Sequence, residues 1–424
     1  MRPHTAVLLV VATACQPLAA DADSGVTLPA DSGTADAGEA GDAGTRPSFA
    51  HLDAWLKGRV DAGVLNGFAM LVFDDGDREL YRGEAGVCAT AGTCPAGRPA
   101  YTVDLVTGVA SSSKWVTSTV ALATLERAVT GGRLASVQAG LDAPVSGVLP
   151  CASMAGRSGT VTLRQLLSFT DGLLPEHDCT SDRSTTLEAC ACAILTASHA
   201  VEVASPELGT PRGSAQPPGT VYKYGATHHA VAGAALEKLA GVGFETLFAQ
   251  LVATPSGLQG RYLNGVNLAG SLRTSVADYA KLVRALYHDG KGSRSKVLLS
   301  PATVAEQEAP QAGASVRVLL SPQPGLEYGL NVWRWCYRPV ELNDLFTFDA
   351  ASVVEDPACT AIHQTGHAGK GGFVPFIDRK AKVYGVFAMR EDSPGGDADY
   401  SAEERDVALR VRLYAAAAAA ALSP

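Results

Sequence analysis

Ser111 and Lys114, in the stretch "GVASSSKWVTS", are the residues of this sequence whose types and spacing could do chemistry together. At the start of a helix, Ser-x-x-Lys places the hydroxyl and the amine one turn apart on the same face. A serine is a poor nucleophile until a base takes its proton, and a lysine can be that base only where burial or a neighbouring cation lowers its pKa. The helix N-terminus adds a backbone N–H at Ser111 that can stabilise an oxyanion. Spacing alone is weak: a second copy, Ser293-Arg294-Ser295-Lys296, follows "LYHDGKG" in a polar, Gly-rich stretch where nothing would desolvate the lysine. That copy is expected to be a loop. Without context Ser111 would read as an N-cap and Lys114 as a solvated helix residue, so the surroundings must decide.

Other chemistries are poorly supplied. His228 and His229 are adjacent on a helical pattern and face different ways, so they cannot clamp one metal ion. Cys190-Ala191-Cys192 is not followed by a His or Cys at ligand spacing. Asp171-Gly172 in "SFTDGL" reads as a turn. The Gly-x-Ser-x-Gly elbow of the α/β-hydrolases is missing. No metal and no cofactor is expected.

The elements that must position Ser111 and Lys114 follow from periodicity. Lys114 to Thr130 repeats apolar residues at helical spacing and stops at Gly131-Gly132, which puts Ser111 at a helix N-terminus. Upstream, Phe49 to Val64 predicts an amphipathic helix, and "GFAMLVFDDGDRELYRGEAG" a hairpin around Asp-Asp-Gly. Residues 140 to 260 alternate short helices with Pro/Gly loops. "SVADYAKLVRALYHDG" is a further helix, and "FVPFIDRKAKVYGVFAMR" two strands around a polar turn. The alanine-rich Ala402 to Ala421 is helical by propensity. The predicted fold is α+β: an antiparallel sheet built from both ends of the chain, flanked by N- and C-terminal helices, with a mostly helical inserted subdomain at about 115–255.

The chain has 424 residues, 46% hydrophobic and 18% charged, with a net charge of −9. It can bury a large core, and no Lys/Arg stripe offers a nucleic-acid surface. Arg2 and His4 precede an apolar run from Thr5 to Ala14, too short to span a bilayer, which needs ~20 residues, but right for a secretory signal over residues 1–20. Cys15 after Thr13-Ala14 resembles a lipoprotein cleavage and lipidation site, which would attach the protein to a membrane; the rival is ordinary cleavage after Ala20 and free secretion. Either way the chain is expected to be exported. Residues 21–48 form an acidic Ala/Gly/Asp linker, and one folded domain covers 49–424.

Beyond Cys15 there are eight cysteines, an even number suited to an oxidising compartment. Cys88 with Cys94 and Cys336 with Cys359 read as local bridges. Cys190 and Cys192 point to different sides of a helix and should not bond each other. Two pairings therefore remain for Cys151, Cys179, Cys190 and Cys192.

The run around Ser111, with "TLRQLLSFTDGL", "PPGTVYKYGATHHAVAGAALEKLAG", "GSLRTSVADYAKLVRALYHDGK" and "HQTGHAGKGGF" in that order, resembles the serine β-lactamase and penicillin-binding-protein superfamily. The similarity is to its class C-like branch, which also holds esterases and D-alanyl-D-alanine peptidases. It implies that Ser111 is acylated and that Lys114 is its partner, with Ser112 and Ser113 as scaffold. Tyr224 matches the tyrosine of a Tyr-x-Asn motif, a second proton-transfer group, and Tyr222 the aromatic position that packs. His367-Ala368-Gly369 matches the Lys/His-Thr-Gly strand of the opposite cleft wall, and the backbone N–H of Lys370 the second oxyanion donor. The pattern departs at Ala226, where the family has asparagine, and at Ala368, where it has threonine. Both polar groups help hold an amide, so the resemblance implies an ester substrate before a lactam or peptide. The alternatives are a β-lactamase or D-alanyl-D-alanine carboxypeptidase acting on an amide, and a non-catalytic surface binding module.

Overall fold

The computed structural model describes residues 48–422 except 90–93, 152–156, 205–214, 294–295, 314, 323–326, 339–352, 357, 360–361 and 391–400. The signal, the linker and Cys15 lie outside the described residues, apart from Ser48.

The chain enters through helix α1 (Phe49–Asp61). It stops short of the expected Val64 because Gly63 turns left-handed, at φ 72°. Strands β1 (Gly67–Asp74) and β2 (Glu79–Gly86) form the predicted hairpin. Its left-handed residue is Asp77 rather than Gly76. That conformation brings the Asp77 carboxylate to Arg284, His288 and Tyr384.

Strand β3 (Thr107–Gly108) leads into α2 (Ser113–Thr130), which Gly131 terminates as expected. Shorter helices follow: α3 (Val137–Asp142), α4 (Leu163–Leu167), then α5 (Leu187–Ala204). A Thr162/Gln165 capping box starts α4. Strand β4 (Val221–Lys223) precedes α6 (Thr227–Ala240), which ends on Gly241 at φ 75°. Helices α7 (Phe244–Phe248) and α8 (Thr254–Ser256) complete this helical stretch.

Strands β5 (Arg261–Tyr262) and β6 (Leu272–Thr274) pair with each other and β6 pairs with β3, in the order β3-β6-β5. Helix α9 (Val276–Tyr287) starts on the Ser275 cap and α10 (Pro301–Glu308) on the Ser300 cap. Strand β7 (Arg317–Leu320) runs parallel to β4. Finally β8 (Trp333–Tyr337), β9 (Ile362–Gly366), β10 (Phe373–Asp378), β11 (Val383–Arg390) and α11 (Ala402–Leu422) close the fold.

The main sheet runs β2-β1-β11-β10-β9-β8, antiparallel throughout, so both ends of the chain do build it. Alternate residues of β1 serve two cores. Phe68, Met70 and Val72 pack with α1 and α11, whereas Ala69 and Leu71 face the core that contains α2 and α9. The alanine run of α11 is more than a propensity effect: Ala415, Ala418 and Ala419 are buried beside Val411 and Tyr414, and their small size lets the helix lie close to the sheet.

Four disulfides staple the fold. Cys88–Cys94 and Cys336–Cys359 are the two local bridges expected, and the open choice resolves to Cys151–Cys192 with Cys179–Cys190. Neighbouring positions on α5 thus tie that helix to two different segments.

Candidate active site

Ser111 lies in a 3₁₀ turn, Ala110–Ser112, immediately before α2, and not in its first α-helical turn. Ala110 is left-handed, at φ 45°, a conformation that costs a residue with a Cβ about 1–2 kcal/mol. Several contacts hold the turn in that shape. Val109 N–H donates to Leu272 O at 3.1 Å and Tyr279 OH to Ser112 O at 2.8 Å. Ser113 Oγ donates to Ala110 O at 2.6 Å and accepts from Leu272 N at 3.1 Å. The Ser112 hydroxyl lies 2.7 Å from His367 O and 2.9 Å from Phe373 O, tying the turn to the sheet. Ser112 and Ser113 are thus occupied in holding backbone, and Ser111, half-buried, is not.

Lys114 is 3% exposed. Its amine donates to Ser111 Oγ at 3.0 Å and to Ala269 O at 3.1 Å, and stands 4.6 Å from the centroid of the Tyr224 ring. Burial lowers its pKa from 10.5 to about 7, because the charged form has lost its water without gaining a carboxylate. Near neutral pH this amine can therefore accept a proton. Lys296, in the second Ser-x-x-Lys, is exposed, and Ser293 Oγ donates to Pro255 O instead.

Tyr224 follows β4, and its backbone N–H donates to Leu320 O of β7 at 2.9 Å. Its ring packs on Phe169 (4.8 Å between centroids) and lies nearly parallel to His367 (6.1 Å, 28°). Tyr222 is fully buried, edge-on to Phe169 and Tyr328, in a packing position.

His367 is fully buried beyond the end of β9, with Nε2 3.0 Å from Tyr328 OH and Nδ1 3.1 Å from Ala368 O. Burial first, and then Lys114, push its pKa well down, which favours the neutral imidazole. Ala368 is buried in the α1/α11 core. At Gly369 a Cβ would meet Val109 O at 2.1 Å and Ser112 Oγ at 3.0 Å, so only glycine lets this strand end approach the serine turn. Lys370 follows, with an exposed side chain. Among the described residues, neither the Ser111 nor the Lys370 amide donates to a turn or loop carbonyl.

A buried layer behind Tyr224 escaped the sequence reading. Asp171 Oδ2 and His228 Nδ1 stand 2.6 Å apart, off the hydrogen-bond axis, and both side chains are inaccessible. Lys223 is also buried, and burial lowers its pKa to about 8 while Asp171 opposes that shift. His229 is fully buried; burial, then Lys114, then its two histidine neighbours push its pKa well down, and Asn331 stands beside it short of hydrogen-bonding geometry. The only available signal was polar residue types inside an apolar helix, "ATHHAVAGAAL". Among the described residues, Cys336, Cys359 and His363 lie close enough to share an ion, but the two sulfurs are joined to each other.

Structural likeness extends over most of the chain. A β-lactamase candidate from Bacteroides dorei DSM 17855 superposes with a TM-score of 0.62 at 24% identity, covering 87% of this chain and 99% of that one. EstCE1, a hydrolase with promiscuous acyltransferase activity, gives 0.60 at 19%, covering 86% and 98%. The D-amino acid amidase of Ochrobactrum anthropi SV3 gives 0.59 at 15%, covering 86% and 97%. At these identities the likeness is one of fold. No curated protein matches the sequence significantly. Residues 52–410 match the family model described as Beta-lactamase, and with that match over most of its length the chain belongs to the Beta-lactamase family, whose members are serine hydrolases.

Proposed function

We propose that the protein is an exported serine hydrolase that acts on small ester substrates through an acyl-enzyme at Ser111. The observation that carries this reading is the buried amine of Lys114, 3.0 Å from Ser111 Oγ with its pKa lowered to about 7. Neutral Lys114 takes the Ser111 proton as Oγ attacks the ester carbonyl. The amides of Ser111 and Lys370 receive the negative charge of the carbonyl oxygen. Lys114 and Tyr224 return the proton to the departing alkoxide, which leaves as alcohol. Water then attacks the acyl-enzyme by the reverse proton path, releasing the acid.

The preference for esters rests on Ala226 and Ala368. Ala226 stands at the start of α6 and Ala368 is packed into the core, and the methyl of neither offers a side-chain polar atom to a substrate amide. Export through residues 1–20, with an acidic linker over 21–48 before the catalytic domain, is supported by the four disulfides, which suit an oxidising compartment; attachment through a lipid on Cys15, with free secretion as the alternative, rests on the sequence around that cysteine.

The test is turnover of p-nitrophenyl acetate, p-nitrophenyl butyrate and nitrocefin by the wild type, Ser111→Ala and Ser293→Ala. The expected result is ester turnover that disappears with Ser111→Ala, survives Ser293→Ala and far exceeds nitrocefin turnover. Rapid nitrocefin hydrolysis would move the assignment to a β-lactamase, and the absence of any acyl adduct at Ser111 by mass spectrometry would leave a binding module.

A further inference from the structure

We propose that Arg390 is a positioning residue that fixes the spacing between the two amides of the oxyanion site; this rests on the catalytic reading above. Arg390 is the last residue of β11 and is fully buried. Its guanidinium donates to three carbonyls: Gly371 O, Met389 O at 2.9 Å and Gly108 O at 2.9 Å. It also sits over the face of Tyr101, 5.9 Å from the ring centroid.

Two of those carbonyls belong to the segments that carry the amides. Gly371 directly follows Lys370, and Gly108 lies three residues before Ser111. One rigid, planar fork therefore spans both walls of the site, a geometry that a lysine cannot reproduce.

Both segments carry glycines beside their amides. Gly371 and Gly372 are both left-handed, at φ 83° and 84°, and glycine moves easily among backbone conformations. The Gly371 carbonyl shares its peptide unit with the Gly372 N–H, which donates to Gly369 O at 3.0 Å. Gly369 O in turn shares its peptide unit with the Lys370 N–H, so a hold on the Gly371 carbonyl is passed to the Lys370 amide. The carbonyl at Gly108 is likewise a glycine's, one residue before Val109 and the strained Ala110. A buried cation is costly to retain unless its surroundings answer its charge. Here carbonyl dipoles do so, with Glu404 close by: Arg390 Nη1 and Glu404 Oε1 lie 3.0 and 4.0 Å from where a Gly371 Cβ would stand. Hydrolysis needs both amides aimed at one oxygen atom, and Arg390, like the Ser112 hydroxyl, is bonded to both sides.

The test compares wild type with Arg390→Met and Arg390→Lys on p-nitrophenyl acetate and on its thionoester, in which sulfur replaces the carbonyl oxygen. An aligned pair of donors favours oxygen over the larger, weaker acceptor sulfur, so the oxo-to-thiono ratio of kcat/KM reads the hole itself. Both variants are expected to lose kcat on the oxoester by about ten-fold or more, with KM within about two-fold, and to lower the oxo-to-thiono ratio. A merely structural role would reduce the yield of folded protein, read by far-UV circular dichroism and active-site titration, and leave the ratio per titrated site unchanged. That result overturns the proposal. If Arg390→Met does not fold, Arg390→Lys, which keeps the charge and loses the fork, gives the same reading. Ser111→Ala separates the two levels: if it still turns over the ester, the catalytic reading fails and this inference with it. If it is inactive while the ratio holds in the Arg390 variants, this inference alone fails.

Discussion

Replacing Lys114 by Met should remove activity and, at neutral pH, relieve the fold of a buried proton-binding group. The amine has a pKa near 10.5 when solvated and about 7 in the folded chain. Between those values the unfolded chain holds a proton that the folded chain does not, so stability rises with pH through that window, and below about pH 7 the full cost is present. At 1.36 kcal/mol per decade the cost is about 4 kcal/mol at pH 7 and about 1 kcal/mol at pH 10. Met removes this cost but leaves Ala269 O without its donor, which returns about 1–3 kcal/mol at either pH. The difference between the two pH values is therefore the clean quantity. Urea unfolding at pH 7 and pH 10 should show wild type gaining about 3 kcal/mol on Lys114→Met as the pH rises. In parallel, kcat/KM of wild type for p-nitrophenyl acetate should rise ten-fold per pH unit below about 7 and level off above it. A stability gap that stays constant between the two pH values, or an activity profile with no acid limb near 7, refutes the reasoning.

Tyr224→Phe keeps the ring against Lys114 and Phe169 but removes the hydroxyl; kcat for the ester should fall by about two powers of ten, with KM and the acid limb little changed, as steady-state kinetics across pH will show. Gly369→Ala drives a methyl to 2.1 Å from Val109 O and must part the strand end from the serine turn, so fluorophosphonate labelling of Ser111 should slow by more than ten-fold in whatever protein folds. Breaking Cys151–Cys192, which closes a 41-residue separation, should cost about 4 kcal/mol, and breaking Cys88–Cys94, which spans 6, about 2 kcal/mol, measured by urea unfolding of the Cys→Ser pairs.

What could be read in the sequence is what periodicity and local chemistry encode. The β1–β2 hairpin and the 18-residue helix behind Ser111 were legible because apolar spacing and glycine stops are local signals. The contrast between Ser111/Lys114 and Ser293/Lys296 was legible because flanking residues show whether a lysine can be desolvated. The Asp171–His228 pair was not: its partners lie 57 positions apart, and Asp171 by itself has the look of a turn residue. Arg390 gave no warning either, since an arginine closing a strand normally reaches solvent, and here Tyr101, Gly108 and Gly371 arrive from distant parts of the chain to enclose it. The α11 alanines illustrate a third case, in which the element was correct and its cause incomplete, because burial depends on a sheet that the local sequence does not mention.

The left-handed Ala110 has a bearing on how finely the serine is aimed. Glycine at this position would adopt φ 45° without effort, but it would also open the broad mirror-image region that a methyl group closes. Alanine makes the native turn harder to enter and gives it fewer alternatives once formed. Ser111, one peptide unit further on, inherits that narrowness in its backbone, which limits the directions from which its hydroxyl meets Lys114. Ala110→Gly could leave the unfolding free energy almost unchanged, since relieved strain and added chain entropy oppose each other. The loss would then show in the spread of serine orientations, a cost in turnover that a melting curve does not register.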